Sequence, residues 1–162
     1  MAHQAITILS LFSLLQRNTR RFYDLMLDGD QIGSGQQFFL LRIHENHGIS
    51  MQDLARMGGF DKGTVTRAVQ KLVSAGFARI ETDQADKRVR HIYLTEQAQP
   101  LVEHIYRIRR YWTETLTGGL TDKELQRLLS DLQDMAERSN ATLEKLNDAR
   151  KNGVDPLAES AT

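Results

Sequence analysis

Residues 61–76, DKGTVTRAVQKLVSAG, constrain the fold more than any other stretch. Asp61 is a side-chain acceptor placed to cap a helix, and Gly76 stands where a helix C-terminus favours a left-handed residue. At about 3.6 residues per turn, Val65, Ala68, Val69, Leu72 and Val73 fall on one side of that helix. Gly63, Thr64, Arg67, Gln70 and Lys71 fall on the other, with Thr66 at the edge. Once the apolar stripe is laid on a core, the outward face holds hydrogen-bonding groups, two cations and no carboxylate. Ser50 and Asp53 form a capping-box pattern for a shorter helix to about Met57, and Gly58 with Gly59 makes a tight turn between the two. Two short helices joined by a few residues containing glycine match the helix-turn-helix motif.

Only 2 prolines and 11 glycines punctuate the 162 residues, so the rest reads as long helices with one hairpin. Residues 6–28 carry Ile8, Leu11, Phe12, Leu15, Phe22, Leu25 and Met26 at mostly helical spacing. Residues 36–46 are apolar on most sides through Phe38, Phe39, Leu40, Leu41 and Ile43, as in a buried helix. Residues 78–83 and 89–94 read as short strands, in which Ile80, Ile92 and Leu94 alternate with polar residues across the polar loop 83–88. Thr95 is placed to cap a helix to about Thr117, with Pro100 near its first turn, where a missing amide costs little. Thr121 and Glu124 form a capping box for a last helix to about Lys151, and residues 152–162 read as a flexible tail. The expected fold class is mainly α with a small β-hairpin. A compact middle, residues 33–94, is flanked by a helical lobe from residues 1–32 and 95–151. The apolar faces of the three long helices exceed what a small core buries, which implies a homodimer joined through that lobe. The alternative is an internal helical bundle in a monomer.

Lys plus Arg and Asp plus Glu both number 21, so the net charge is zero and a uniformly basic coat is excluded. A local patch is not. Over residues 61–91 seven cations face four anions, an excess of three that the other residues offset with fourteen cations against seventeen anions. The hairpin contributes Arg79, Lys87, Arg88 and Arg90. Asp86 lies two residues before Arg88, where a carboxylate can orient a guanidinium. An arginine so held on a thin loop suits a narrow minor groove. Arg67 and Gln70 are the side-chain types that read guanine and adenine edges in the major groove, and Lys71 suits phosphate. The bland alternatives are a solvated helix face and an exposed turn ion pair worth ~0–1 kcal/mol.

The run DKGTVTRAVQKLVSAGFARIETDQADKRVRHIYLTEQAQPLV resembles the recognition helix, wing and following helix of MarR/SlyA-type transcriptional regulators. Its most specific parts are Asp86-Lys87-Arg88, Leu94-Thr95, and TVTRAVQKL followed by Gly76. The resemblance implies a triangular homodimer that presents two winged helix-turn-helix units to a pseudo-palindromic double-stranded DNA operator, usually as a repressor. The recognition helices would sit roughly 34 Å apart on one face of the duplex. By position, Lys62, Gly63, Thr64, Thr66, Arg67, Gln70 and Lys71 belong to the recognition helix, and Lys87, Arg88 and Arg90 to the wing. Arg88 is the wing-tip arginine, Asp86 is its orienting partner, and Ser50 and Gln52 contact phosphate. The resemblance also implies a small aromatic or anionic effector between the lobes, for which Arg21, Phe38 and Arg42 are the candidates; packing and surface charge are the alternative for all three. A further reading keeps the winged helix as a protein-interaction module without DNA binding.

Other chemistries find little support. With no cysteine, disulfides, thiolate metal sites and cysteine redox switches are excluded. His44, Glu45 and His47 resemble the start of a zinc-protease motif, but the second histidine comes one residue early. Some regulators of the resembled family hold zinc on their second and fifth helices; here His44, Glu45, His47 and His104 lack a second histidine one turn beyond His104. No metal or cofactor is expected. Nucleophile elbows, phosphate loops and dinucleotide fingerprints are absent, so an enzyme is not expected. Trp112, Tyr106 and Tyr111 are read as packing groups rather than a base-stacking platform. No run approaches ~18 apolar residues, and the start MAHQAITILSLFSLL lacks a basic leader, so the expectation is a cytoplasmic protein without a membrane contact.

Overall fold

The computed structural model describes residues 7–153. Most of the expected tail, residues 154–162, therefore lies outside the described residues. The elements run α1 (Ile8–Met26), α2 (Ser34–Glu45), β1 (Ile49–Ser50), α3 (Met51–Gly58), α4 (Lys62–Ser74), β2 (Ala78–Thr82), β3 (Arg90–Leu94), α5 (Gln99–Thr117) and α6 (Asp122–Lys151). The protein is thus mainly α with one small antiparallel sheet, a winged helix. Its contacts divide it into two units, Met1–Thr113 and Glu114–Thr162.

In the first unit the core lies where α2, α3, α4, β3 and α5 meet. Leu40, Leu54, Val69, Leu72, Ile92 and Ile105 are wholly buried there. The α2 run is apolar all round because the helix is covered on several sides; Phe39, Leu40, Leu41 and Ile43 are all buried. Tyr23, Leu27 and Ile32, from α1 and the turn after it, join the same cluster. So do Leu101, Val102 and Ile108 of α5. Along most of α1, however, apolar groups stay exposed in the single chain, among them Ile8, Leu11, Leu14 and Leu15. Near its end, Phe22 stacks on Trp112 at 4.4 Å, and the Trp112 indole N–H donates to Thr19 at 2.9 Å. Trp112 and Tyr106 pack, as read from the sequence, whereas Tyr111 is largely exposed in the single chain.

The sheet is ordered β1-β3-β2, with β3 in the centre. Ile49 and Ile80 both stand opposite Ile92, which stacks an apolar row over the helices. The two-residue β1 is too short to show an alternating pattern. At the other end of the hairpin the Thr95 hydroxyl does not cap the following helix. It donates to the Gly76 carbonyl at 2.6 Å, while its amide donates to Phe77 O at 3.0 Å. A 3-10 turn at Glu96–Ala98 leads into α5 instead. Gly76 itself has φ +79, the left-handed conformation that ends α4 and releases the chain into β2.

In the second unit α6 opens with the expected capping box. Thr121 accepts from the Glu124 amide, and the Glu124 carboxylate accepts from the Thr121 amide at 2.8 Å. Leu128, Leu129, Leu132 and Leu143 are exposed in the single chain.

Leu72 makes a direct check of the core that seats α4. Leu72→Ala is expected to lower the unfolding free energy by roughly 2–5 kcal/mol in urea denaturation. A loss under about 0.5 kcal/mol, ordinary for a surface change, would contradict the packing described.

Candidate nucleic-acid interface

The helix α4 begins at Asp61, whose carboxylate accepts from the Thr64 amide at 2.9 Å and from the Thr64 hydroxyl at 2.7 Å. These bonds, the hydroxyl first, hold the Asp61 carboxyl below the usual carboxylate range. A Cβ at position 63 would stand 3.1 Å from Asp61 Oδ1, so glycine there leaves room for the capping carboxylate. The Thr64 oxygen in turn accepts a long bond of 3.4 Å from the Arg67 guanidinium. Thr66 is exposed and donates its hydroxyl to the Lys62 carbonyl at 2.7 Å. With Val65, Ala68, Val69 and Leu72 buried, the exposed face carries Lys62, Gly63, Thr66, Arg67, Gln70 and Lys71; Thr64 is half-buried.

The helix α3 supplies a second edge. Ser50 caps it by accepting from the Asp53 amide at 3.0 Å. The reciprocal half of the expected box is different: the Asp53 carboxylate takes the Ser50 hydroxyl at 2.7 Å rather than the Ser50 amide.

The wing is organised by backbone donors. Asp83 Oδ1 accepts from the amides of Ala85 at 2.8 Å and Asp86 at 2.9 Å. Asp86 Oδ1 accepts from the Arg88 amide at 2.9 Å. The expected bond from Asp86 to the Arg88 guanidinium is therefore replaced by one to its backbone. An aspartate that accepts from an amide two residues on forms a local turn, and this turn already engages the Asp86 carboxylate. The amides of Asp86 and Ala85 hold the Asp83 carboxyl below its ordinary value, with a smaller contribution from His91. Arg79 is exposed, but its charge is shared: it pairs with Glu81 at 3.1 Å and lies over the Tyr93 ring at 4.6 Å. Lys87, Arg88 and Arg90 are exposed.

These three parts converge. A cleft of about 290 Å³ is lined by Ser50, Gln52, Lys62, Thr66, Arg88 and Arg90, together with Met51, Val65 and Val89. Six residues singled out from sequence thus share one concavity, and three of them, Ser50, Gln52 and Lys62, stand at helix N-termini. Arg67, Gln70 and Lys71 line an adjoining open trough with Gln31. Asp86 and Lys87 lie on the wing loop beyond the cleft. Sequence reasoning missed Gln31, Asp83 and His91. Only Asp83 left a sign, an aspartate in the polar loop ahead of the amides it caps.

The remaining candidates fall elsewhere. Phe38 and Arg42 line a pocket of about 200 Å³ with Thr19, Tyr23, Gln37, Leu41 and Arg109. Arg21 is exposed on α1 and does not line it; Arg109 supplies the second cation. The Arg42 guanidinium stands 5.4 Å from the Phe38 ring centre and 2.6 Å from Glu45. His44 packs edge-on to Tyr106, His47 to Tyr93, and His104 lies 3.8 Å from Asp30. Among the described residues no three histidine or carboxylate groups gather as a metal site. Nor, among them, is any helix long and apolar enough to cross a membrane.

Residues 34–89 match the MarR family. The chain is 33% identical over 90 residues to YybA of Bacillus subtilis (strain 168), an uncharacterized HTH-type transcriptional regulator. That match takes in 56% of this chain and 60% of the relative's length. A MarR transcriptional regulator from Methanosarcina mazei Go1 superposes with a TM-score of 0.77 at 30% identity, covering 83% of this chain and 97% of that one. A MarR family regulator from Listeria monocytogenes, solved with a 26mer DNA, gives 0.79 at 24% identity over 93% and 97%.

The Asp61 cap carries a sign in pH. Its depressed carboxyl stabilises α4 above the ordinary carboxylate range, about 3.9, and that contribution is lost as pH falls through the lower folded value. Thermal unfolding should show Asp61→Ala melting below the wild type at neutral pH, with the gap closing as pH falls below the ordinary carboxylate range. A gap that stays constant as the carboxylate is protonated would remove it from the cap.

Proposed function

The chain belongs to the MarR family of transcriptional regulators, and from that premise we propose that it binds double-stranded DNA sequence-specifically as a homodimer. In this reading it acts as a repressor in the cytoplasm. Its family is one of regulators, not of enzymes. The observation that carries the reading is the convergence of Ser50, Gln52, Lys62, Thr66, Arg88 and Arg90 on one cleft beside the Arg67, Gln70 and Lys71 face. α4 occupies the major groove, where Arg67 and Gln70 read base edges. Lys71, Ser50 and Gln52 take phosphates. Arg88 reaches the adjacent minor groove, where negative potential is concentrated. The Listeria monocytogenes regulator seen with DNA has the same fold, which supports this placement.

Dimerisation through the terminal helices accounts for the apolar groups that α1 and α6 each leave exposed in the single chain. The proposed lobes are residues 1–32 with 95–151 for dimerisation and 33–94 for DNA. The pocket holding Phe38, Arg42 and Arg109 is the effector site of this reading: two guanidinium groups beside an aromatic wall suit an aromatic carboxylate. Such a ligand releases DNA by binding better to the lobe spacing that misfits the duplex.

Selection of duplexes from a random library, followed by fluorescence anisotropy, tests the reading. The selected site should be pseudo-palindromic. Arg88→Ala should cost about 1–3 kcal/mol of affinity with the fold intact. Replacing Arg67 should shift the selected bases, whereas Lys71→Ala should weaken all sequences alike. Failure to enrich any duplex would overturn DNA binding and leave the protein-interaction reading.

A further inference from the structure

His91 is the second residue of β3, the central strand, opposite Ser50 on β1 and Glu81 on β2. Its Nδ1 lies 2.7 Å from the Gly48 carbonyl oxygen and its Nε2 lies 3.1 Å from Asp83 Oδ2. Both partners are acceptors only. A neutral imidazole has one N–H and can satisfy one of them, leaving the other nitrogen's lone pair against an oxygen. Only the imidazolium donates to both.

The two partners belong to different parts of the proposed interface. Gly48 leads directly into Ile49 and Ser50, the cap of α3. Asp83 is the residue on which the wing loop hangs. Its other oxygen takes the Ala85 and Asp86 amides, and Asp86 takes the Arg88 amide. A second pair of bonds, from the Asp83 amide to Val89 O and from the Val89 amide to Asp86 O, closes the same loop. A chain of hydrogen bonds therefore runs from the α3 turn through one ring to the backbone of the wing-tip arginine.

We propose that His91 is the positioning residue of the wing: the doubly donating ring fixes the loop that carries Arg88 against the α3 N-terminus, and loss of its proton frees one side. This rests on the DNA-binding reading above. The surroundings favour the charged form. Asp83 contacts the ring, and Glu81 stands opposite it with its carboxylate shared with Arg79. The opposing cations are Arg88 and Arg90 of the wing and Lys62 of α4, all on the solvent-open cleft. Neighbouring Tyr93 and His47 pack on each other. The Gly48 carbonyl, and then Asp83, raise the His91 pKa above its ordinary value. The bridge is thus complete below about pH 6.5 and is lost as pH rises through the elevated folded value.

The test has two arms on the full-length protein. In the free protein, ¹⁵N NMR followed from about pH 5.5 to about pH 8.5 should show both His91 nitrogens protonated at the acid end. The Ala85, Asp86 and Arg88 amides should titrate with the His91 midpoint, and Asp83→Asn should lower that midpoint. In the second arm, anisotropy with a library-selected duplex at constant ionic strength should show affinity falling roughly three- to tenfold over the same range. His91→Gln should flatten that profile, and so should Arg88→Ala, because the ring acts through the wing. If His91→Gln does not fold, the wild-type amide titration and the Arg88→Ala profile still decide. Wing amides that ignore His91, or a full pH response surviving in Arg88→Ala, overturn the proposal while leaving DNA binding standing. Coupled amides in a protein that binds no duplex sink the DNA reading instead and leave the bridge standing.

Discussion

The dry seat of α4 is the constraint on which the rest depends. Val65, Val69 and Leu72 are each at most 1% exposed, pressed on a core shared with α2, α3 and β3. A helix so held cannot rotate about its axis without bringing Arg67 or Lys71 into that core, and burying an unpaired cation costs several kcal/mol. The outward display of Lys62, Thr66, Arg67, Gln70 and Lys71 is therefore enforced from behind. The Asp61 cap fixes where the helix begins and Gly76 where it stops, so axial position is set as firmly as rotation.

The wing is held differently. It has little apolar burial of its own, since the loop from Gln84 to Arg88 is exposed throughout. Its shape comes from two aspartates that accept from backbone amides, a local device that needs no core. That leaves the Arg88 guanidinium outside the loop's bonds and on the cleft. One rigid element and one tethered element thus face the same concavity. The tether reaches the rest of the protein through β2, β3 and the His91 ring.

Much of this was legible in the sequence. The α4 stripe, both α4 ends, the Thr121–Glu124 capping box and the strand alternation each rest on residues within a few positions of one another, and local physics fixes them. Most of what sequence left unread depends on distant partners. Thr95 looked like a helix cap because nothing nearby showed that Gly76 O would take its hydroxyl across 19 residues. Arg79 is the exposed cation the sequence shows, but the Tyr93 ring across the hairpin that lies under it is not visible there. Asp86 was expected on the Arg88 side chain, yet the amide of the same residue is closer and already ordered. Arg21 was grouped with Phe38 and Arg42, but the rotation of α1 turns it to solvent and Arg109 of α5 arrives instead. His91 gave no sign at all, since its role requires Gly48, 43 residues away.

The most direct measurement of the central claim is the salt dependence of binding to a selected duplex. Each phosphate neutralised by Lys or Arg contributes about −0.9 to the slope of log affinity against log salt. A cationic groove seated on DNA gives a steep wild-type slope, reduced in magnitude by about one in Lys71→Ala, whose cation is assigned to phosphate. A slope near zero, or one unchanged by that substitution, would contradict the account.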